Sequence, residues 1–127
     1  MSTHAELPFT VDAFEERSTE IPDDAPGPPA GRAVLRKTYT GALAGTATVE
    51  MLTTRGEGGA AYLAQERIVG TLEGRSGSFV LQHGAHTAPP SQWAFVVGGS
   101  GTGELAGIAG TGSVAHGLLT LDYELPG

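Results

Sequence analysis

The stretch from Val97 to Gly112 (VGGSGTGELAGIAGTG) carries seven glycines in sixteen residues and sits between two alternating apolar runs. Trp93, Phe95 and Val97 precede it, and Leu119, Leu121 and Tyr123 follow. An interior glycine costs a helix about 1 kcal/mol against alanine, so no long helix runs through Gly107, Gly110 and Gly112. Leu105 and Ile108, three apart, suit one short helical turn. The stretch therefore reads as a tight corner between two strands, placed over 98–112, where glycine supplies positive φ and close backbone approach. Gly101 and Gly107 are expected at positive φ.

A phosphate-binding reading competes for the same residues. Gly101-Thr102-Gly103-Glu104-Leu105-Ala106 fits the dinucleotide pattern G-x-G-x-x-A, with Asp122 near the distance of a ribose-binding acid. The context refuses it, because a parallel crossover needs roughly a dozen residues, usually helical. No lysine follows the glycines, so the Walker pattern fails too.

Taken from the start, the chain reads as eight short strands. Leu7, Phe9 and Val11 alternate with polar residues in the first; the acidic, proline-rich loop at about 20–31 cannot hold a strand or helix. The next strands run over 32–40, with Leu35, Lys37 and Tyr39 on one face, then 46–54, 60–72, 76–87, 92–97, 112–116 and 118–125. Gly-containing turns separate them, and no helix longer than the corner turn appears. The expected fold is all-β: one domain over 1–127, a single closed eight-stranded antiparallel up-and-down barrel, which leaves no open edges.

Composition narrows the chemistry. A net charge of −7, with 14 acids against 7 basic residues, argues against nucleic acid and anionic membranes as partners. The absence of cysteine excludes disulfides and thiol chemistry. No signal peptide and no apolar run of membrane-spanning length is visible, so a cytoplasmic location is expected. His83 and His86 are three apart on one strand and point to opposite faces, so neither a metal nor a cofactor is expected.

Strand alternation sorts the remaining polar residues. Taking the bulkier sets as inward places Glu66 (with Tyr62 and Ile68), His83 (with Phe79 and Leu81) and Trp93 (with Phe95) in the lumen on neighbouring strands. Strands four and five turn at Glu73-Gly74, so opposed residues have numbers summing to about 147; Glu66 then faces Leu81, one diagonal step from His83. A Glu–His pair in an apolar cavity suits acid–base work, whereas a hydrogen-bonded structural pair is the plain alternative. Glu66 and His83 are the catalytic candidates. Tyr39, Tyr62, Phe79, Gln82, Trp93, Phe95 and Tyr123 are the ligand-binding ones. Val80 and Val96 fall on outward positions and suggest a self-association face, hence a homodimer or homotrimer.

The runs GGSGTGELAGIAGTG and ERIVGTLEGRSGSFVLQHG resemble an uncharacterised bacterial family of small proteins with the allene-oxide-cyclase-like barrel. The corner is similar to one in plant allene oxide cyclases and dirigent proteins. That family usually keeps a Glu, a Gln-His pair and a Trp where this chain has Glu66, Gln82-His83 and Trp93. The wider superfamily implies an apolar lumen that binds or cyclises small molecules, and assembly as dimers or trimers. Three functions follow as expectations: a binder of a small hydrophobic molecule, a cofactor-free isomerase or cyclase, or a packed barrel acting structurally.

Overall fold

Alternation of apolar and polar residues, interrupted by glycine turns, produces eight antiparallel strands joined in sequence order. The structure is a computed structural model that describes residues 2–17 and 24–127. The strands are β1 (Thr3–Glu16), β2 (Ala30–Tyr39), β3 (Leu43–Gly56), β4 (Gly59–Leu72), β5 (Arg75–Thr87), β6 (Pro90–Val96), β7 (Ala109–Ala115) and β8 (Leu118–Glu124). Each pairs with its sequence neighbours, and β8 pairs back on β1, so the sheet closes into a barrel. Of the acidic loop, residues 24–29 are irregular, residues 20–23 lie outside the described residues, and Ala30 and Gly31 already belong to β2.

The tight hairpins are chemically specified. Glu73 and Gly74 have φ of 47° and 87°, and His116 and Gly117 have φ of 53° and 73°. Two successive positive φ values twist a two-residue turn to match the flanking strands. The first of these fixes the β4–β5 register, in which Glu66 faces Leu81 and Ala64 faces His83.

The first strand is longer than its alternation suggests. Pairing with β2 shifts between Val11 and Ala13, leaving Asp12 as a bulge whose carboxylate accepts hydrogen bonds from Thr10 (3.1 Å) and Thr38 (2.5 Å). The extra residue resets the parity, so Phe14, not Ala13, continues the inner face of Phe9 and Val11. Alternation read without the bulge stops at Val11.

The glycine-rich corner contains the expected helical turn, a 3-10 turn over Gly103–Leu105. Leu105 and Ile108 are buried in the main core, so the corner plugs one end of the barrel. It also takes over the edge of β5 where β6 ends. The amide of Val97 bonds the Val80 carbonyl, and the Thr102 amide bonds the Ser78 carbonyl. The Ser100 and Thr102 hydroxyls accept from the amides of Val80 (3.0 Å) and Ser78 (3.1 Å).

Two expectations about this corner are corrected. Irregular backbone ends at Ile108, because Gly110 and Gly112 lie in β7, where a side chain would strike the Asp122 and Thr120 carbonyls of β8. Gly107 has positive φ (82°), as do Gly99 and Gly103, but Gly101 does not. Gly101 is required instead for space, since a Cβ there would overlap the Leu105 carbonyl.

A third correction concerns β6. Trp93 pairs with the outward Gly84, and Ala94 with the inward His83, so Trp93 and Phe95 face outward, 38% and 39% exposed. The Trp93 indole covers Gly84, where a Cβ would collide with the ring, and stacks on Phe95 at 6.0 Å between centroids. Bulk is a poor guide to facing when a glycine on the neighbouring strand offers the outer surface as a platform. Val96 accordingly points inward and is buried, whereas Val80 keeps its outward position on β5, half-buried.

Gly101→Val and Gly107→Val should each destabilise the fold by about 2 kcal/mol or more, through overlap and backbone strain respectively. Gly58→Val should stay within about 0.5 kcal/mol, since nothing lies within 4 Å of its Cβ position and its φ is not positive. Urea denaturation of the three variants checks this.

Candidate functional site

Inside the barrel two apolar clusters are separated by charge. Along β4, Ile68 belongs to the larger cluster and Ala64 to the smaller, with Glu66 between them. Along β2, Tyr39 belongs to the larger and Leu35 to the smaller, with Lys37 between them. Glu66, Lys37 and His83 are 0%, 4% and 1% exposed.

A carboxylate moved out of water without partners is prohibitively costly. Glu66 is compensated by three donors. Lys37 Nζ donates to Oε1 at 2.9 Å, His83 Nε2 lies 2.9 Å from the same oxygen, and the Tyr39 hydroxyl donates to Oε2 at 2.5 Å. Burial alone would raise the Glu66 pKa. The His83 hydrogen bond, the Lys37 charge and the bonds from Tyr39 and Lys37 together outweigh it and hold the carboxyl below its ordinary value. Burial, and then the Glu66 charge, push the Tyr39 hydroxyl well above the usual tyrosine range and raise that of Tyr62.

An ionised carboxylate only accepts hydrogen bonds, so His83 carries its proton on Nε2 and donates it to Glu66. In the neutral ring Nδ1 is then an acceptor, 3.1 Å from the Tyr62 hydroxyl, which donates to it. The result is a chain from Tyr62 through His83 to Glu66. Lys37 also lies 3.8 Å from the centre of the Phe9 ring, a cation–π contact that shields the ammonium on its apolar side.

The two ends of the barrel differ. At the corner end Leu7, Leu43, Leu72, Phe79, Leu105 and Leu121 fill the lumen. At the other end β1 pairs with β8 only over Thr3–Pro8, and β6 with β7 only through Ala94–Gly112 and Phe95–Thr111. The wall is thin there, and a mouth of about 1090 Å³ opens between β1, β6 and the β3–β4 and β5–β6 turns. An inner cavity of about 360 Å³ continues from it to Lys37 and His83. Met51, Tyr62, Ala85 and Gln92 line both.

The nominated residues separate accordingly. Glu66, His83, Tyr39 and Tyr62 come together in one network, and Tyr62 lines the cavities. Phe79 is packed core at the closed end, and Tyr123 is buried there with its hydroxyl donating to Glu73 at 2.6 Å. Gln82 bonds Gln65 on the outer face at 3.1 Å, and Trp93 and Phe95 lie outside the lumen, so these three do not line it. Lys37 is the member that sequence reasoning missed. Its signal was a lysine sharing an inward strand face with Leu35 and Tyr39. Among the described residues no three His, Cys, Asp or Glu side chains are grouped to hold a metal.

Glu66→Gln should cost about 3–5 kcal/mol, because it strands the Lys37 ammonium in the core. The pH dependence has a definite sign. A carboxyl with a lowered pKa in the folded state stabilises above the unfolded value, about 4.3 for glutamate, and that contribution is lost as pH falls through the folded value. The gap in melting temperature between wild type and Glu66→Gln should therefore narrow on acidification below about pH 4. A gap that widens there contradicts the assignment.

Comparison with known proteins places these features in a family. Residues 5–125 match the family model described as "Protein of unknown function (DUF3224)". The crystal structure of a protein of unknown function from that family, from Shewanella oneidensis MR-1, superposes with a TM-score of 0.85 at 32% identity, covering 100% of this chain and 99% of the other. No curated protein matches the chain. The chain belongs to the DUF3224 family.

Proposed function

We propose that this DUF3224 protein binds a small, largely apolar molecule in the open half of its barrel. The observation that carries the reading is the continuity of the mouth with the inner cavity, which ends on Lys37, Tyr62 and His83. Eight-stranded barrels are wide enough either to fill with side chains or to hold one small ligand. Here both arrangements coexist at opposite ends. A concave, mostly apolar site with a few convergent polar groups is the ordinary form of a small-molecule site.

A second reading, cofactor-free isomerisation in the same cavity, is favoured by the Tyr62–His83–Glu66 chain. Its cavity-facing end is a phenol whose raised pKa keeps it protonated and no nucleophile; its one proton goes to His83, and its oxygen is left to accept a hydrogen bond from the ligand. Recovery of a ligand chemically unchanged after prolonged incubation separates binding from turnover.

The neutral fluorophore N-phenyl-1-naphthylamine should bind saturably, one per chain, with enhanced emission. Ala85 lines both cavities, so Ala85→Trp should abolish that binding while leaving the far-ultraviolet circular dichroism spectrum and its cooperative thermal transition in place. Undiminished binding by a folded Ala85→Trp variant would place the probe elsewhere and sink the proposal.

A further inference from the structure

The chain is acidic overall, with 14 acids against 7 basic residues, yet among the described residues no carboxylate lines the inner cavity. Its ionisable lining is Lys37, Tyr62, His83 and His116. Glu66 stands behind this wall, 0% exposed, with its oxygens occupied by Lys37, His83 and Tyr39. Lys37 commits one N–H to Glu66 and, only 4% exposed, still borders the cavity beside Phe9, Leu35 and Val49. A charge in such surroundings interacts far more strongly than one in water. The inner cavity thus presents one cation, and its lining offers no acid to repel a negative group. The wider mouth mixes signs, with Glu16 and Arg55 both on its lining.

We infer that the ligand is an apolar molecule carrying one anionic group, carboxylate-like in size. The group docks against Lys37 at the floor, and the apolar body extends past Met51 and Ala85 toward the mouth. This rests on the reading that the lumen binds a small apolar molecule. It adds that Glu66 and the ligand share one lysine. Glu66 is then not an anchor for the ligand but a competitor: it holds Lys37 in place in the empty barrel and partly screens it from the incoming anion.

Two probes that differ only by a sulfonate test this in the full chain: N-phenyl-1-naphthylamine and 1-anilinonaphthalene-8-sulfonate. The readout is the ratio of the neutral probe's Kd to the sulfonate's, which cancels changes that affect both. Lys37→Met/Glu66→Gln removes both charges of the buried pair together and so keeps the lumen neutral. That variant should lower the ratio about tenfold, the effect of roughly 1.4 kcal/mol. Glu66→Gln, where circular dichroism shows it folded, should raise the ratio above wild type. Arg55→Gln, at the mouth, should leave it unchanged. A ratio unmoved in the double variant, or one that falls in Arg55→Gln instead, overturns the anionic ligand while leaving an apolar one standing. Failure of the neutral probe to bind wild type overturns both.

Discussion

A carboxylate with no exposure to water, Glu66, sits in the middle of this barrel, and much of the interior is arranged to keep it ionised. The cost of burying the ion is met by Lys37, His83 and Tyr39 from strands β2 and β5, which flank β3 and β4. Each donor then constrains something further. Lys37 needs the Phe9 ring beside it, which ties β1 to the network. His83 bonds Glu66 through Nε2, and its Nδ1 holds the Tyr62 hydroxyl at the cavity. No buried side-chain nitrogen or oxygen among the described residues lacks a partner, so the polar layer is fully connected. A connected layer of this kind specifies one arrangement of the core, whereas a partly satisfied one destabilises it.

The layer also divides the barrel into two unlike halves. On the corner side the lumen is closed by leucines and by the plug formed from Leu105 and Ile108. On the other side the end of β1 lacks β8 as a partner, and the short β6–β7 pairing leaves the wall open. Stability and access are thereby assigned to opposite ends of one small sheet. The bulge at Asp12 contributes to the open end by turning Phe14 toward the mouth.

Much of this was legible in the residues. The alternating runs and glycine turns mark eight strands, and the Glu73-Gly74 turn alone fixes the register that sets Glu66 opposite Leu81. Because inter-strand register propagates diagonally, the meeting of Glu66 with His83 follows from that turn. What failed did so where a local device overrides alternation. The inner face of β6 is the small pair Ala94 and Val96, because Gly84 gives Trp93 a seat outside. The bulge at Asp12 changes parity without a glycine or proline to announce it. Lys37 was visible on an inward face, but nothing in one strand reveals that its partner lies two strands away on β4. Likewise the glycines of β7 look like corner glycines until β8 is laid beside them.

The ionisation of Glu66 is the point on which the lumen's chemistry turns, and it can be read directly. Side-chain carboxyl carbon NMR of protein labelled at glutamate, with the Glu66 signal assigned by its loss in Glu66→Gln, follows that one group through a pH titration. The account predicts a carboxylate signal that persists below the ordinary glutamate value of about 4.3 for as long as the barrel stays folded. A Glu66 carboxyl that takes up its proton at or above that value in the folded protein would contradict it.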